Sequence, residues 1–407
     1  MTEREDSETV APDSVGRARW LNRSVLGIGV ASLLSDVGHE MATAVLPLLV
    51  VTLGGASAAL GLIEGLADAA SSFAKLLSGL YSDRLKRRKP LAVVGYFLTA
   101  SGMASFALAT QTWQLLVGRV IGWIGRGART PVRNVLLTEA TTKETYGRAF
   151  GLERTMDSAG AVVGPLLALA LVGAIGVRPT LALTLVPGGL AALAIALLVR
   201  ERPHAPPRSR TLWASLQTFS VPYRRFLFGV GIAGLGDFSN TLLILWATQA
   251  WTPRFGLATA ARWAMVFYVG YNVVYTLSCF VAGALADAFP KVYVLATGYL
   301  LAALPAAVLI LPGTSFAKFA AVFGLSGVYM GFWETVEGSA AAEMLSPEVR
   351  GVGFGVLATV NGLGDLFSSV LVGLLWTVSP PVAMSAVILL CLLGALVVSR
   401  SRGARVP

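Results

Sequence analysis

The chain has 407 residues, of which 55% are hydrophobic and only 13% are charged. A soluble domain usually carries about 25% charged residues, so this chain cannot cover its own surface in water and is expected to lie in lipid. The formal net charge of +10 would suit a nucleic-acid partner, but the placement of the basic residues, given below, argues against nucleic acid.

The chain begins with a polar segment. Residues 1–20 carry mixed charges and lack the basic start and short apolar core of a cleaved signal peptide, so we expect a cytoplasmic tail. A bilayer core of about 30 Å needs about 20 apolar residues in a helix, and such segments recur twelve times. The expected spans lie near residues 24–51, 59–81, 90–110, 114–138, 147–172, 179–200, 224–250, 261–285, 291–311, 316–342, 351–377 and 382–399. The sequence therefore predicts an all-α integral membrane protein.

The longest connection between these spans is 201–223, which is rich in proline and arginine. It predicts a cytoplasmic linker between an N-terminal six-helix bundle at 21–200 and a C-terminal six-helix bundle at 224–400. Residues 401–407 are then expected to form a second cytoplasmic tail.

The basic residues predict the orientation of the helices. Most of the 32 lysine and arginine residues fall on the side of the N-terminus. The opposite side holds only Arg178, Arg254, Arg262 and Lys318. Because cytoplasmic loops carry an excess of lysine and arginine, we expect both termini in the cytoplasm of a bacterial inner membrane. The net charge is then explained without a nucleic-acid partner.

The two halves of the chain match at a constant offset of 204 residues. The matched pairs include Gly79 and Gly283, Asp83 and Asp287, Gly147 and Gly351, Asp36 and Asn240, Asp68 and Asn272, and Asp157 and Asn361. Two six-helix halves related by a parallel repeat are a plan of secondary transporters, which bind substrate between the halves near mid-membrane. The repeat therefore predicts two pseudo-symmetric bundles.

The connection after the second span contains Gly79, Asp83, Arg84, Arg87 and Arg88. Their spacing resembles the signature loop of the major facilitator superfamily, with Lys86 in place of its second glycine. The resemblance covers nearly the whole chain and implies alternating access by rocking of the two bundles. A carboxylate at this depth can reach the positive N-terminus of a neighbouring helix, so we expect these residues to form a conformational latch.

The fifth span contains Gly160, Gly164 and Pro165. Their order is similar to an element of the drug:proton antiporter branch of the superfamily, although Ala168 and Leu169 replace the glycine pair that usually follows. The similarity implies efflux against protons. Close helix packing without directional meaning is the alternative, because paired glycines let backbones approach closely.

Charged residues lie within the spans, where each costs roughly 2.5–3.5 kcal/mol at mid-membrane and must face a partner or an aqueous cavity. In the N-terminal bundle we expect a proton-coupling polar site made of Asp36, Glu40, Glu64, Asp68 and Arg126. Asp36 and Arg126 lie at similar depth, and Glu40 follows Asp36 on the same helix face. A static polar network that holds the helices together is the alternative.

Helix depth also predicts two ion pairs between the fourth and fifth spans, one joining Glu153 to Arg133 and one joining Asp157 to Arg129. They are expected either to hold the bundle together or to take part in gating. In the C-terminal bundle we expect substrate contacts from Asp237, Asn240, Asn272, Glu334, Glu337, Asn361 and Asp365.

The chain has no P-loop and no GxSxG elbow, so we expect no enzyme, and no cofactor or bound metal is expected. The prediction is a monomeric secondary transporter that exports a small molecule in exchange for protons and has the lipid bilayer as its other partner. Export of a metal ion or a metal–carboxylate chelate, uniport and symport are the alternatives. A receptor that transports nothing would not need so many buried charges.

Overall fold

The computed structural model describes residues 20–54, 57–201, 212–237 and 240–401, and within these ranges its regular structure is helical. The N-terminal half contains α1 (Arg23–Thr52), α2 (Ser57–Ser82), α3 (Lys89–Ala104), α4 (Thr112–Glu139), α5 (Tyr146–Ile175), α6 (Val177–Leu183) and α7 (Leu185–Leu198). The C-terminal half follows a short helix, α8 (Leu212–Gln217). It contains α9 (Val221–Gly234), α10 (Asn240–Phe255), α11 (Leu257–Ala288), α12 (Lys291–Ile310), α13 (Phe316–Met344), α14 (Arg350–Val378) and α15 (Pro380–Ser399).

Eight of the described helical segments are long and apolar enough to cross a membrane by length and composition alone. The remaining expected spans are α1, α2, α4 and the pair α9 and α10. The arginines of α4 show how a polar helix fits this fold, because Arg119, Arg129 and Arg133 are all buried within the protein. The all-helical fold with twelve spans agrees with the predicted fold class.

The sixth span, expected as one helix at 179–200, divides at Thr184 into α6 and α7. Pro187 lies three residues later and has no N–H to donate to the preceding turn, which accounts for the division. The connection expected as a linker at 201–223 also holds more structure than a linker, since it contains α8 and the first residues of α9.

The seventh span, expected as one helix at 224–250, is interrupted after Gly234. Glycine weakens a helix interior, and Gly236 follows within two residues. Gly236 also lies against α15, where a Cβ added to it would stand 3.2 Å from the sulfur of Cys391. The interruption places Asp237 in a turn between two helices instead of on a helix face.

The two halves pack in equivalent ways. In the N-terminal half, α1 packs against α5 and α7, while α4 packs against α2 and α3. In the C-terminal half, α13 packs against α11 and α12, while α15 packs against α9 and α12. Between the halves, α5 packs against α11 and α2 packs against α14, two contacts that the offset of 204 residues exchanges.

The outer surface of the protein is apolar. Large side chains such as Phe73, Leu169 and Phe228 are 64–75% exposed, whereas the charged residues Asp36 and Glu153 are buried. This inverts the arrangement of a water-soluble protein and suits a surrounding of lipid, where every polar group must find its partner inside.

The halves meet closely at the end of the bundle where α2 ends and where α5 and α14 begin. We call it the basic end because Lys86, Arg87, Lys89, Arg148, Lys291 and Arg350 lie there. Glycines face each other at two crossings of the halves, Gly79 against Gly351 and Gly355, and Gly283 against Gly147 and Gly151. A Cβ at Gly79 or Gly283 would collide with the backbone of the other half, so this contact requires glycine.

Candidate functional site

The centre of the N-terminal half holds the two residues that were expected at the same depth. Nη1 of Arg126 on α4 lies 3.3 Å from Oδ1 of Asp36 on α1. The Asp36 carboxylate is buried, while the Arg126 side chain is 30% exposed. Arg126 therefore contacts the buried Asp36 carboxylate and is itself partly accessible.

Glu64 and Asp68, both on α2, lie near two further side chains of α4. Oε2 of Glu64 is 2.8 Å from Nη2 of Arg119. Oδ1 of Asp68 accepts a hydrogen bond of 2.6 Å from the indole Nε1 of Trp123. The guanidinium carbons of Arg119 and Arg126 lie 4.3 and 5.3 Å from the centre of the Trp123 ring. Trp123, which the sequence analysis did not single out, thus joins most of the expected polar site.

Glu40 reaches the same site through a histidine. Its Oε1 lies 3.7 Å from Nε2 of His39. The His39 ring stacks on Trp123 with 4.4 Å between ring centres, and its Nδ1 has no hydrogen-bond partner among the described residues. The five residues predicted for this site therefore lie around one aromatic platform, and their role in proton coupling stays a prediction.

Arg133 on α4 is the centre of a buried ion network with α5. Its Nη1 lies 2.6 Å from Glu153 Oε1, the contact that helix depth predicted. The same atom lies 3.8 Å from Oδ1 of Asp157. Ser32 of α1 donates a hydrogen bond to Glu153, which ties a third helix to the network.

The predicted pair of Asp157 and Arg129 was wrong. Arg129 instead places its guanidinium 4.2 Å from the centre of the Tyr96 ring on α3. Gly95 allows this, because its missing side chain leaves room for the Arg129 stem between α3 and α4. Asp157 finds its cations in Arg133 and Arg154.

Arg154 forms an ion pair between the two halves. Its Nη2 lies 2.9 Å from Glu334 on α13, while its Nη1 lies 3.3 Å from Asp157 on its own helix. The sequence analysis left Arg154 without a partner, because depth along a helix does not reveal which helix of the other half stands opposite.

A cavity of about 160 Å³ lies around this ion pair, between the halves. Lys75, Glu153 and Arg154 line it from the N-terminal half, and Glu334, Glu337, Asn361 and Asp365 line it from the C-terminal half. Phe150 and Phe354, which the offset of 204 relates, bound it with 6.1 Å between their ring centres. Four of the predicted substrate contacts therefore share one space.

The other predicted substrate contacts lie elsewhere. Asp237, in the turn after α9, accepts a hydrogen bond of 3.3 Å from the Tyr329 hydroxyl. Asn272 donates to the carbonyl oxygen of Tyr268 on its own helix. The side chain of Asn240 lies outside the described part of the chain.

The predicted latch is present at the basic end as a set of contacts. Asp83 accepts hydrogen bonds of 2.9 and 2.8 Å from the backbone N–H groups of Gly351 and Val352, the first turn of α14. Arg88 lies 3.6 Å from Asp83 and also pairs with Glu139. A carboxylate at a helix N-terminus is stabilised by the unpaired N–H groups and the helix dipole. Of the other latch residues, Arg84 and Arg87 are exposed.

The second half forms the same contact in the opposite direction. Asp287, at the end of α11, accepts hydrogen bonds from the backbone N–H groups of Gly147 and Arg148 at the start of α5, at 2.6 and 3.0 Å. The Arg148 side chain adds an ion pair of 2.8 Å. The repeat in the sequence had marked Asp287, but the sequence analysis assigned no role to it.

Burial raises the pKa of the Asp83 carboxyl from 3.8 to about 6. The two N–H donors of α14, Arg88 and Arg350 act in the other direction and offset part of this effect. Asp83 therefore titrates near pH 6 while the latch is closed.

Comparison with known proteins identifies the family. A family model described as Major Facilitator Superfamily matches residues 28–269. The chain belongs to this superfamily. A similar relative is the uncharacterized MFS-type transporter MJ1317 of Methanocaldococcus jannaschii, which is 26% identical over 374 residues, 89% of this chain and 90% of the relative.

Other relatives are similar to this chain over only part of its length. The multidrug resistance protein MdtH of Aeromonas hydrophila is 36% identical over 154 residues, which is 38% of each chain. Among solved structures, the transporter FucP in its outward conformation superposes with a TM-score of 0.78 at 17% identity, covering 93% of this chain and 99% of FucP. At that identity the likeness shows a shared fold, and the chain is a multi-pass membrane transporter of this superfamily.

The glycine element of α5 has a packing role in this superfamily member. Gly160 lies against Leu33 and Asp36 of α1, and Gly164 lies against Cβ of Glu40 and the backbone of Val37 and Met41. These contacts stay within one half, and they place the backbone of α5 directly behind the polar site. The element thus sets the distance between α1 and α5, and a role in transport direction stays a prediction.

Proposed function

We propose that this superfamily member is a proton-coupled secondary transporter that exports a small molecule by alternating access. The proposal includes the predicted division into halves at 201–223, the two cytoplasmic tails and a monomeric state. The basic end is taken to face the cytoplasm, because cytoplasmic loops carry most of the lysine and arginine in membrane proteins.

The contact between Asp36 and Arg126 is the observation that carries proton coupling. A buried carboxyl can be neutralised either by a proton or by a neighbouring arginine. Because the Asp36 carboxyl is neutralised in only one of these ways at a time, a substrate that stabilises its ion pair with the partly exposed Arg126 expels the proton. Substrate and proton would thereby compete for one site, which is the requirement for antiport.

Two further observations support export. The chain partially matches MdtH, a protein named for multidrug resistance, over 38% of its length. The latches of Asp83 and Asp287 close the basic end, so the state described here opens away from the proposed cytoplasmic side. An exporter takes up a proton in that state.

The test is proton movement in proteoliposomes that contain the full chain under an imposed pH gradient, with lipophilic cations, organic anions and metal–citrate complexes as candidate substrates. We expect substrate-triggered proton release in the unaltered protein and none in Asp36→Asn. Glu144→Gln, an exposed acid at the basic end, serves as the matched control and should behave as the unaltered protein. Intact proton coupling in Asp36→Asn would refute the assignment of Asp36.

A further inference from the structure

The cavity between the halves has two walls of opposite charge. Lys75 of α2 and Arg154 of α5 lie on its N-terminal wall. Glu334 and Glu337 of α13 and Asp365 of α14 lie on its C-terminal wall. Charges of opposite sign on facing walls favour a ligand that carries both signs, because each end of the ligand then meets its complement.

Some of these charges are already neutralised. Glu153 also lines the N-terminal wall, but Arg133 lies 2.6 Å from it. Arg154 and Glu334 neutralise each other across the cavity at 2.9 Å. The charges that remain are Lys75 on one wall and Glu337 and Asp365 on the other. None of these three forms an ion pair with another residue in the described part of the chain.

Glu337 is held in a fixed position for a cationic group. It is only 5% exposed, its Oε1 accepts a hydrogen bond from the Asn361 amide, and its Oε2 accepts one of 3.0 Å from the Trp333 indole. Both donors are neutral, so the Glu337 carboxyl has hydrogen-bond partners but no counter-ion among the described residues. A buried charge of this kind is costly unless a partner arrives to neutralise it.

The size of the cavity limits the ligand. The cavity has a volume of about 160 Å³. Sites for drug-sized ligands are typically about 300–1,000 Å³. This volume suits a ligand smaller than a drug-sized compound.

We infer that this cavity binds a small zwitterion that carries one ammonium group and one carboxylate. The carboxylate contacts the amine of Lys75 on the N-terminal wall. The ammonium group contacts Glu337 and Asp365 on the C-terminal wall. One ligand then touches both halves and couples its binding to their relative motion. The identification of this ligand as the transported substrate rests on the proposed function, whereas its binding to the cavity does not.

Binding to the purified full chain in lipid nanodiscs tests the inference, with the ligand-induced shift in thermal unfolding as readout. The probes are alanine, 4-aminobutanoate and leucine, each beside its methyl ester, which keeps only the ammonium charge, and its N-acetyl derivative, which keeps only the carboxylate. We expect at least one zwitterion to bind roughly 10- to 100-fold more tightly than both of its blocked forms. Failure of all three zwitterions, or equal binding of a blocked form, would overturn the inference.

Two variants assign the ends of the ligand. Lys75→Met should abolish the preference for the zwitterion over its ester, because the carboxylate loses its partner. Glu337→Gln should abolish the preference over the N-acetyl form, and Asp365→Asn tests the same wall if Glu337→Gln does not fold. Lys143→Met and Glu144→Gln, both exposed at the basic end, are the matched controls and should retain both preferences. A uniform loss in all variants would contradict the assignment of the two walls.

The outcome is separable from that of the proposed function. Zwitterion binding without substrate-driven proton movement would refute proton-coupled export and leave the ligand class standing. Proton-coupled transport of another compound, with no zwitterion bound, would refute the ligand class and leave the proposed function standing.

Discussion

The two halves share a backbone plan but carry different charges at equivalent positions. At the offset of 204 residues, Arg133 corresponds to Glu337 and Asp157 to Asn361. In the N-terminal half Arg133 is neutralised by Glu153 and Asp157. In the C-terminal half Glu337 accepts hydrogen bonds from neutral donors only, Asn361 among them. The N-terminal half therefore pairs this buried charge internally, while the C-terminal half presents to the cavity a carboxyl that has no counter-ion among the described residues.

We therefore expect the position of Arg133 to stabilise the fold and the equivalent position of Glu337 to serve ligand binding. The same junction, α4 with α5 and α13 with α14, is held by ion pairs in one half and by hydrogen bonds in the other. Removing one partner from a complete ion network leaves an unpaired buried charge, whereas a carboxyl without a counter-ion gains a partner when a cationic ligand arrives. Stability measurements on equivalent positions can test this comparison directly.

The largest expected effect comes from breaking the complete network. Arg133→Leu leaves Glu153 and Asp157 buried, with Arg154 as their remaining ion-pair partner in the described part of the chain, and we expect a loss of about 3–5 kcal/mol in the free energy of unfolding. Glu337→Leu, at the equivalent position, removes an uncompensated charge and should cost clearly less. Thermal unfolding of both purified variants measures the difference. Equal losses would show that the two halves do not differ in the way described.

Much of this fold was predictable from sequence, because span length, loop charge and the repeat depend on local composition. The contact of Asp83 with a helix N-terminus was also predictable from its position just after α2. The partners of Arg129 and Arg154 were not. Depth follows from counting residues, but the direction of a side chain around its helix depends on the neighbours, as Gly95 shows for Arg129. The contact of Arg154 with Glu334 also depends on how the two halves pack together, and the repeat in the sequence does not reveal that packing.

The second prediction concerns the two latches, which are equivalent by the repeat. Asp83→Ala and Asp287→Ala each remove both acceptor oxygens and leave two N–H groups at a helix N-terminus without a partner, so each should weaken the closed basic end by about 1–3 kcal/mol. Ala358→Cys, which lines the cavity, reports opening through its reaction with a membrane-impermeant thiol reagent added at the basic end. The chain's own Cys279 and Cys391 are buried and need no replacement.

We expect faster labelling in both latch variants and the fastest in the double variant. Lys86→Gln, at an exposed position of the same connection, is the control and should label as slowly as Ala358→Cys alone. If only one of the two aspartates affects labelling, the two latches are not equivalent and the symmetry of the contact has no functional counterpart.

The smallest expected effect is the pH dependence of the Asp83 latch. Its pKa is about 6 in the closed state, against 3.8 for a carboxyl in water, so the closed state binds the proton more tightly and opening releases it. Acidifying the basic end from pH 7 to pH 5 should therefore favour the closed state by about tenfold and slow the labelling of Ala358→Cys by the same factor. Asp83→Asn should remove this dependence, whereas Asp287→Asn should keep it. Faster labelling at pH 5 in the unaltered latch would contradict this prediction. It would mean that protonation of Asp83 weakens its hydrogen bonds to α14 by more than it lowers the cost of burying the carboxyl, so that acid would open the latch.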